Sequence, residues 1–403
     1  MEHRKKQNPR HILAAGAALV ILTGIPSAWG ALQRHAAEAY ALTQQQTGYS
    51  FSILLGAYGL GCALGGLTQD RFGPRPTALA GSLLLCGGMG AAGLLPAGSV
   101  WLWDLCFAVP VGLGSACLGP AVLSCAQKWY AHRKGVAAGV IGCATGLSGL
   151  VLTGLIWLFT AGPACLWGIR GCFAAWTVLL LPVCLTGSLT LHDPPCPAAA
   201  AQAAPKTVRP AQLLRDRNYW YLTAAVALAT PAVQLFGPYL VELGQARGLT
   251  ETQALWMVPL GSVGNAVGRL TMPLCSDRLG RRQTDLWLFA GLAAGSGAFW
   301  LARGGWLLPT YAWLCVCYSG LAAVLPAFTA DLFGLAHAGT AYGLAALGQT
   351  VGSLCFPLAA NGWGLAQGRH LLAIGAAAVG FCCIWRIRPA QSCPETDTAT
   401  EKT

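Results

Sequence analysis

The sequence predicts an all-α membrane protein, with twelve transmembrane helices arranged in two pseudo-symmetric six-helix bundles. Three observations carry this. Of 403 residues, 55% are hydrophobic and only 10% charged, with a mean hydropathy of +0.54, whereas a soluble domain carries about 25% charged residues. The apolar residues fall in repeated runs of about 20, the length that crosses a bilayer as helix. One polar loop recurs roughly halfway along the chain. Disorder, nucleic-acid binding and an ordinary soluble enzyme are poor fits to this composition.

Helix 1 is predicted over residues 12–33, after Arg4, Lys5, Lys6 and Arg10, and holds Gly24-Ile25-Pro26-Ser27-Ala28-Trp29-Gly30. With Ala36-Ala37 downstream it resembles a secretory signal, but its apolar run exceeds the about 7–15 residues of a signal core. It therefore reads as a membrane span. Helix 2 (47–67) runs into Gly66-Leu67-Thr68-Gln69-Asp70-Arg71-Phe72-Gly73-Pro74-Arg75, ahead of helix 3 (77–96). Helix 4 (101–123) contains Pro110 and Pro120. Helix 5 (135–158) opens on Gly135-Val136-Ala137-Ala138-Gly139, straight after Lys128-Trp129-Tyr130-Ala131-His132-Arg133-Lys134. Helix 6 (163–187) closes the first bundle, residues 1–187. Residues 188–218 pass through His192-Asp193-Pro194-Pro195 and an Ala/Pro-rich stretch to Lys206, Arg209, Arg215 and Arg217. That composition predicts a flexible cytoplasmic linker.

The second bundle, 219–386, repeats the plan. Helix 7 (219–243) contains Pro231, and helix 8 (252–275) contains Pro259, Asn265 and Arg269 before Pro273-Leu274-Cys275-Ser276-Asp277-Arg278-Leu279-Gly280-Arg281-Arg282. Helix 9 covers 284–302, and helix 10 (306–328) carries Trp313, Tyr318 and Pro326. Helix 11 (338–360) opens on Gly339-Thr340-Ala341-Tyr342-Gly343, helix 12 covers 366–385, and a polar tail occupies 387–403. Asp277 stands 207 residues after Asp70, and Gly339 stands 204 after Gly135. Two near-equal offsets imply duplicated halves. Proline and abundant glycine inside the helices predict kinks and close helix contacts.

Charge placement sets the topology. With both termini inside, 19 of the 25 Lys and Arg residues fall in inner segments and 5 in outer loops: Arg34, Arg170, Arg247, Arg303 and Arg369. This positive-inside bias accounts for the net charge of +11 without an acidic partner. The remaining cation is Arg269. The 17 cysteines form no C-x-x-C pair and sit mostly singly in apolar runs, as expected of small packing residues rather than disulfides or a metal site.

The D-R-x-G-x-R loop after the second helix of each half, on a duplicated twelve-helix chain, resembles the major facilitator superfamily over essentially the whole sequence. In that family the Asp caps a neighbouring helix and the Arg residues hold the inner gate, so the resemblance implies gating roles for Asp70, Arg71, Arg75, Asp277, Arg278, Arg281 and Arg282. A narrower resemblance runs to the oxalate/formate antiporter branch and the monocarboxylate transporters. It rests on Lys128 to Gly139, on Gly24 to Gly30, on Gly66 to Arg75 and on Asn265-Ala266-Val267-Gly268-Arg269 with Ser276-Asp277.

Arg269 stands out without any family. It precedes Asp277 by 8 residues, roughly 12 Å along a helix, which places it near mid-membrane. A guanidinium there costs about 2.5–3.5 kcal/mol unless it faces water, an anion or a partner, and its planar fork can hold a carboxylate through two parallel hydrogen bonds. In the related branch this Arg contacts the substrate carboxylate, and a Lys on helix 11 supplies a second cation. The matching position here is Gln349, which can donate a hydrogen bond but carries no charge. One fixed cation suits one negative charge, because an unpaired second carboxylate would lose its hydration. The expected substrate is a small monocarboxylate such as formate, lactate or a keto or hydroxy acid, rather than oxalate.

Asn265 lies one turn before Arg269 on the same face, where proton-coupled relatives resemble D-x-x-x-R. Asn cannot titrate. Asp104, Glu242 and Asp285 are read as lying at helix ends, and His35 as a solvated loop residue, so coupling is expected through a counter-anion or through protons entering with the acid. Trp29, Trp313 and Tyr318 are candidate pocket walls; most of the 15 Trp are expected at interfaces or in packing. The expected setting is a bacterial inner membrane, with both termini cytoplasmic and the carrier monomeric in the lipid bilayer. The competing expectations are a major facilitator exporter of amphipathic or drug-like compounds and a transporter-like sensor. No phosphate-binding Walker loop, metal-ligand spacing or catalytic constellation is present, so neither an enzyme nor a cofactor is expected.

Overall fold

The computed structural model describes residues 9–21, 23–160, 167–194, 210–362 and 368–388, whose regular structure is entirely helical. Residues 195–209, about half of the predicted linker, lie outside the described residues, as does the tail from 389.

Helix 1 runs as two pieces, Pro9–Ile21 and Ile25–Tyr40. Pro26 stands in the first turn of the second piece, where its missing N–H is no loss. The second piece continues to Ala41, a left-handed cap with φ 52°. The expected end at residue 33 was therefore too early, and Arg34 and His35 belong to a helix rather than a loop. Helix 2, Gln44–Phe72, starts on a capping box between Thr43 and Gln46, which satisfies two otherwise orphaned N–H groups. Helix 3 is Pro74–Leu94. Helix 4 spans Val100–Trp129, with a π-turn at Asp104–Ala108. Helix 5 is Lys134–Thr160 and helix 6 Gly168–Thr190.

Helix 7 departs most from the sequence reading. It was expected unbroken over 219–243, but it runs as Arg217–Ala229, Pro231–Gln234, a 3-10 turn at Gly237–Tyr239 and Leu240–Ala246. Pro231 removes a ladder donor and crowds the preceding turn. Helix 8 is Glu251–Leu255 continuing as Met257–Leu279, helix 9 Arg281–Leu301, helix 10 Leu307–Phe333, helix 11 Ala338–Gly362 and helix 12 Gly368–Arg386.

The repeated loop has the same local cause in both halves. Gly73 (φ 86°) and Gly280 (φ 87°) each end one helix and begin the next, donating their N–H to Gln69 and Ser276 carbonyls respectively. That φ favours glycine.

The helices pack into two bundles, with one apolar core drawn from residues 12–191 and a second from 213–387. The halves meet along two seams: helix 2 on helix 11, and helix 5 on helix 8. Small residues make both possible. A Cβ on Gly66 would collide with the Gly339 carbonyl, one on Gly343 with the Cys62 carbonyl, and one on Gly135 with the Pro273 carbonyl and Asp277. The contacts run from the face bearing the repeated loops to Gly59 beside Thr350 on one seam and Gly146 beside Arg269 on the other. Beyond them a Cβ on Gly48, Gly56 or Gly154 would meet nothing within 4 Å. The close glycine contacts between the halves thus lie between the loop face and the level of Arg269.

Seven of the described helices are long and apolar enough to cross a membrane by themselves. The other spans are the broken helices 1 and 7 and helices 8, 9 and 11.

Candidate functional site

Arg269 lies half-buried on helix 8, facing helix 5 across the seam between the bundles. Its stem lies along helix 5, where a Cβ added to Gly146 would stand 3.3 Å from the arginine Cδ. Its Nε donates to Asn265 Oδ1 at 2.8 Å, one turn back on the same helix. This bond fixes the guanidinium plane and leaves the Nη edge of the fork. Among the described residues no carboxylate forms an ion pair with Arg269. Tyr58 on helix 2, Tyr318 on helix 10 and Tyr342 on helix 11 all lie within its electrostatic reach. A cation with phenols from both halves within its reach can hold an anion, in a medium where unscreened charge counts for more than in water.

Gln349 is brought to the same place, joined to the site by a bond that sequence could not indicate. Its Nε2 donates to the Tyr318 hydroxyl at 2.8 Å, and Gln234 Nε2, from the short turn inside helix 7, donates to the same oxygen at 3.0 Å. Tyr318 itself is only 7% exposed. The structure thus assembles Arg269, Asn265, Tyr318 and Gln349, and adds Gln234, Tyr58 and Tyr342.

Trp29 and Trp313 are placed elsewhere. Trp29 stacks on Phe51 and Phe107, with ring centroids 5.4 and 6.4 Å away, inside the first core. Trp313 is half-exposed, and its Nε1 donates to the Gly291 carbonyl of helix 9, the position of a lipid-facing packing residue rather than a cavity wall. Two carboxylates read as lying at helix ends are instead buried: Asp104 is 7% exposed and Asp285 3%. The π-turn keeps helix 4 continuous through Asp104. Asp285 lies a turn inside helix 9 and lines a small cavity with Leu222, Phe289, Leu321 and Ile384.

The repeated loops supply a second constellation at the closed face. Asp70 accepts from the backbone N–H of Gly339 at 3.2 Å and of Thr340 at 2.6 Å, capping helix 11. Asp277 accepts from the N–H of Gly135 at 3.0 Å, capping helix 5. Each half's aspartate thus caps a helix at a seam, at positions related by the same repeat, and an anion there also meets the positive end of the helix dipole. The second seam carries more charge. Lys134 pairs with Asp331 at 2.6 Å, Arg281 Nε reaches the other Asp331 oxygen at 3.0 Å, and Arg281 also binds Asp277 and Ser276. Arg282 donates to the Ile384 and Trp385 carbonyls, tying helix 9 to the end of helix 12. Arg71, Arg75 and Arg278 point outward, and Arg71 lies over the Phe72 ring. Upstream of Lys134, Lys128 pairs with Asp193 at 2.7 Å and Trp129 Nε1 donates to the His192 carbonyl, anchoring the segment after helix 6.

Three of these residues escaped the sequence reading. Gln234 is a polar residue three places after a helix-breaking proline in an apolar run, and Asp331 is an acid in the one inner connection without Lys or Arg. Both were faint signals. Tyr58 left none.

The sequence pattern of the Major Facilitator Superfamily matches residues 13–357 and 232–400. The chain belongs to this superfamily. Among curated major facilitator relatives it is 26% identical over 322 residues to the uncharacterized MFS-type transporter YhjX of Escherichia coli, covering 77% of each chain. It is 26% identical to the fujikurins efflux protein of Gibberella fujikuroi, over 56% of this chain and 46% of that one. It is 24% identical to monocarboxylate transporter 9 of Rattus norvegicus, over 43% and 34%. The fold matches the proton:xylose symporter XylE with a TM-score of 0.72 at 16% identity, covering 94% of this chain and 96% of that one. This major facilitator protein is an integral, multi-pass membrane transporter and not an enzyme.

Proposed function

We propose that this major facilitator transporter carries a small monocarboxylate by alternating access between its two halves, with Arg269 as the anion anchor. The observation that carries the reading is the guanidinium of Arg269: on a membrane-spanning helix, its Nε held by Asn265, and no carboxylate paired with it among the described residues. An intramembrane cation without an internal counter-ion is a ligand site by default. The uncharged Gln349 supports one negative charge rather than two. The partial likeness to monocarboxylate transporter 9 points the same way.

In this reading the loop face is cytoplasmic, as the positive-inside bias implies. The two capped seams form the inner gate, which is closed in this structure. Rocking of one bundle against the other then exposes Arg269 alternately. Asn265 cannot carry a proton, so exchange against a second anion, or entry of the acid with its proton, completes the cycle. A second reading, export of amphipathic compounds, is favoured by the name of the fujikurins efflux relative; there Arg269 has a structural role.

Uptake of labelled formate and lactate into proteoliposomes separates them, measured with and without internal anion and with and without a proton gradient, for the parent and for Arg269→Gln. Carboxylate flux that disappears in the variant supports the anchor. Flux indifferent to the substitution, in correctly folded protein, or no carboxylate flux alongside transport of bulky apolar compounds, rejects it.

A further inference from the structure

A phenol oxygen accepts through its lone pairs and donates a single proton, whereas an amide nitrogen can only donate. Tyr318 receives two amide donors, Gln234 Nε2 from helix 7 at 3.0 Å and Gln349 Nε2 from helix 11 at 2.8 Å. With both donors on the oxygen, its own proton is driven into the remaining direction. Among the described residues no acceptor meets that proton, while the Arg269 charge lies within reach of the ring. Tyr318 is buried, and a buried donor without a partner is costly, so the arrangement makes sense only when something accepts from it.

We infer that Gln234 is a positioning residue: together with Gln349 it locks Tyr318 as a one-way donor beside Arg269, so that the site recognises an anion carrying a second, uncharged oxygen acceptor. The inference rests on the reading of Arg269 as anchor. A single amide would not suffice, because the hydroxyl could then turn toward its vacant side and donate elsewhere. Two amides, reaching in from helices on either side, remove that freedom. Gln234 need not touch the substrate; it acts through Tyr318. The second acceptor must be uncharged because the site offers it a phenol and amides but no second cation, and a buried unpaired carboxylate would lose its hydration.

The test uses the full-length protein in proteoliposomes, with lactate and propionate as probes: equal in charge and carbon count, differing in one hydroxyl. The parent should prefer lactate by roughly 3- to 10-fold, the worth of one neutral hydrogen bond. Gln234→Glu converts a donor into an acceptor that takes the Tyr318 proton away from the cavity, so the lactate-to-propionate ratio should fall to about one, whatever the added charge does to the affinity of both anions. Acidifying until the introduced carboxyl is protonated, and can donate again, should restore the preference, a response that a merely structural role would not give. Tyr318→Phe should lose it without recovery, and Gln349→Glu repeats the test from the other side if Gln234→Glu fails to fold. A parent without preference, or a preference intact in these variants, overturns the inference while leaving the carboxylate reading in place. Binding of both probes that survives Arg269→Gln overturns that reading, and this inference with it.

Discussion

Arg269 is held at one edge and free at the other, an arrangement that separates charge from geometry. Arg269→Gln should lower carboxylate affinity about 10- to 100-fold, the range expected when a charged hydrogen-bonding partner is lost. Arg269→Lys, which keeps the charge but not the planar fork, should fall between; equilibrium binding of labelled lactate ranks the three. Asp70→Asn and Asp277→Asn test the caps. Each weakens a charge-assisted bond at a helix N-terminus by about 1 kcal/mol and should shift the balance of states about fivefold toward opening of the loop face, read as labelling of a cysteine placed at that seam. Arg269, Asn265, Asp70 and Asp277 were legible in the sequence because a polar side chain inside an apolar run, or a motif repeated at a fixed offset, is visible without any fold. Gln234 and Asp331 were not, since their partners lie 84 and 197 residues away. Their meaning exists only once the helices have packed.

At the scale of helices, the seams depend on absent side chains as much as on present ones. Gly66→Val or Gly135→Val would drive a branched side chain into the facing backbone, at Gly135 into the Asp277 carboxylate as well. Both should prevent full closure of the loop face and cut transport by more than tenfold while leaving each bundle folded, since they touch neither apolar core; crosslinking across the seam and circular dichroism check the two halves of this statement. The Lys134–Asp331 pair can be tested by reversal. Lys134→Asp and Asp331→Lys should each impair closure, and the double exchange should recover part of it. Most helices were readable from run length and flanking charge. The break in helix 7 was not, because a proline inside a span is compatible with a mere kink, and only the packing of the pieces decides how far the interruption extends. Helix 1 was likewise read as ending too early, because the polar residues at its far end sit within a helix.

For the molecule as a whole, two separate apolar cores meet along seams that are small-residue contacts rather than a shared interior. Two chains, one ending at residue 194 and the other starting at 210, should therefore assemble when produced together and recover measurable carboxylate flux, whereas neither half alone should transport. The duplicated plan was legible from two near-equal offsets, but the cross-capping of each half by the other's aspartate required three dimensions. The crowding of polar groups onto a few spans has its own consequence, in biogenesis. Seven spans can partition into lipid alone, but helix 8, bearing Asn265, Arg269 and Asp277, cannot do so cheaply. Its neighbours must shelter it as it leaves the insertion machinery, helix 10 above all, against which Gly264 and Gly268 are fitted so closely that a Cβ would strike the Ala312 and Val316 carbonyls. The residues proposed here to bind an anion thus make the chain's membrane assembly a cooperative event, in which a late helix completes the insertion of an earlier one.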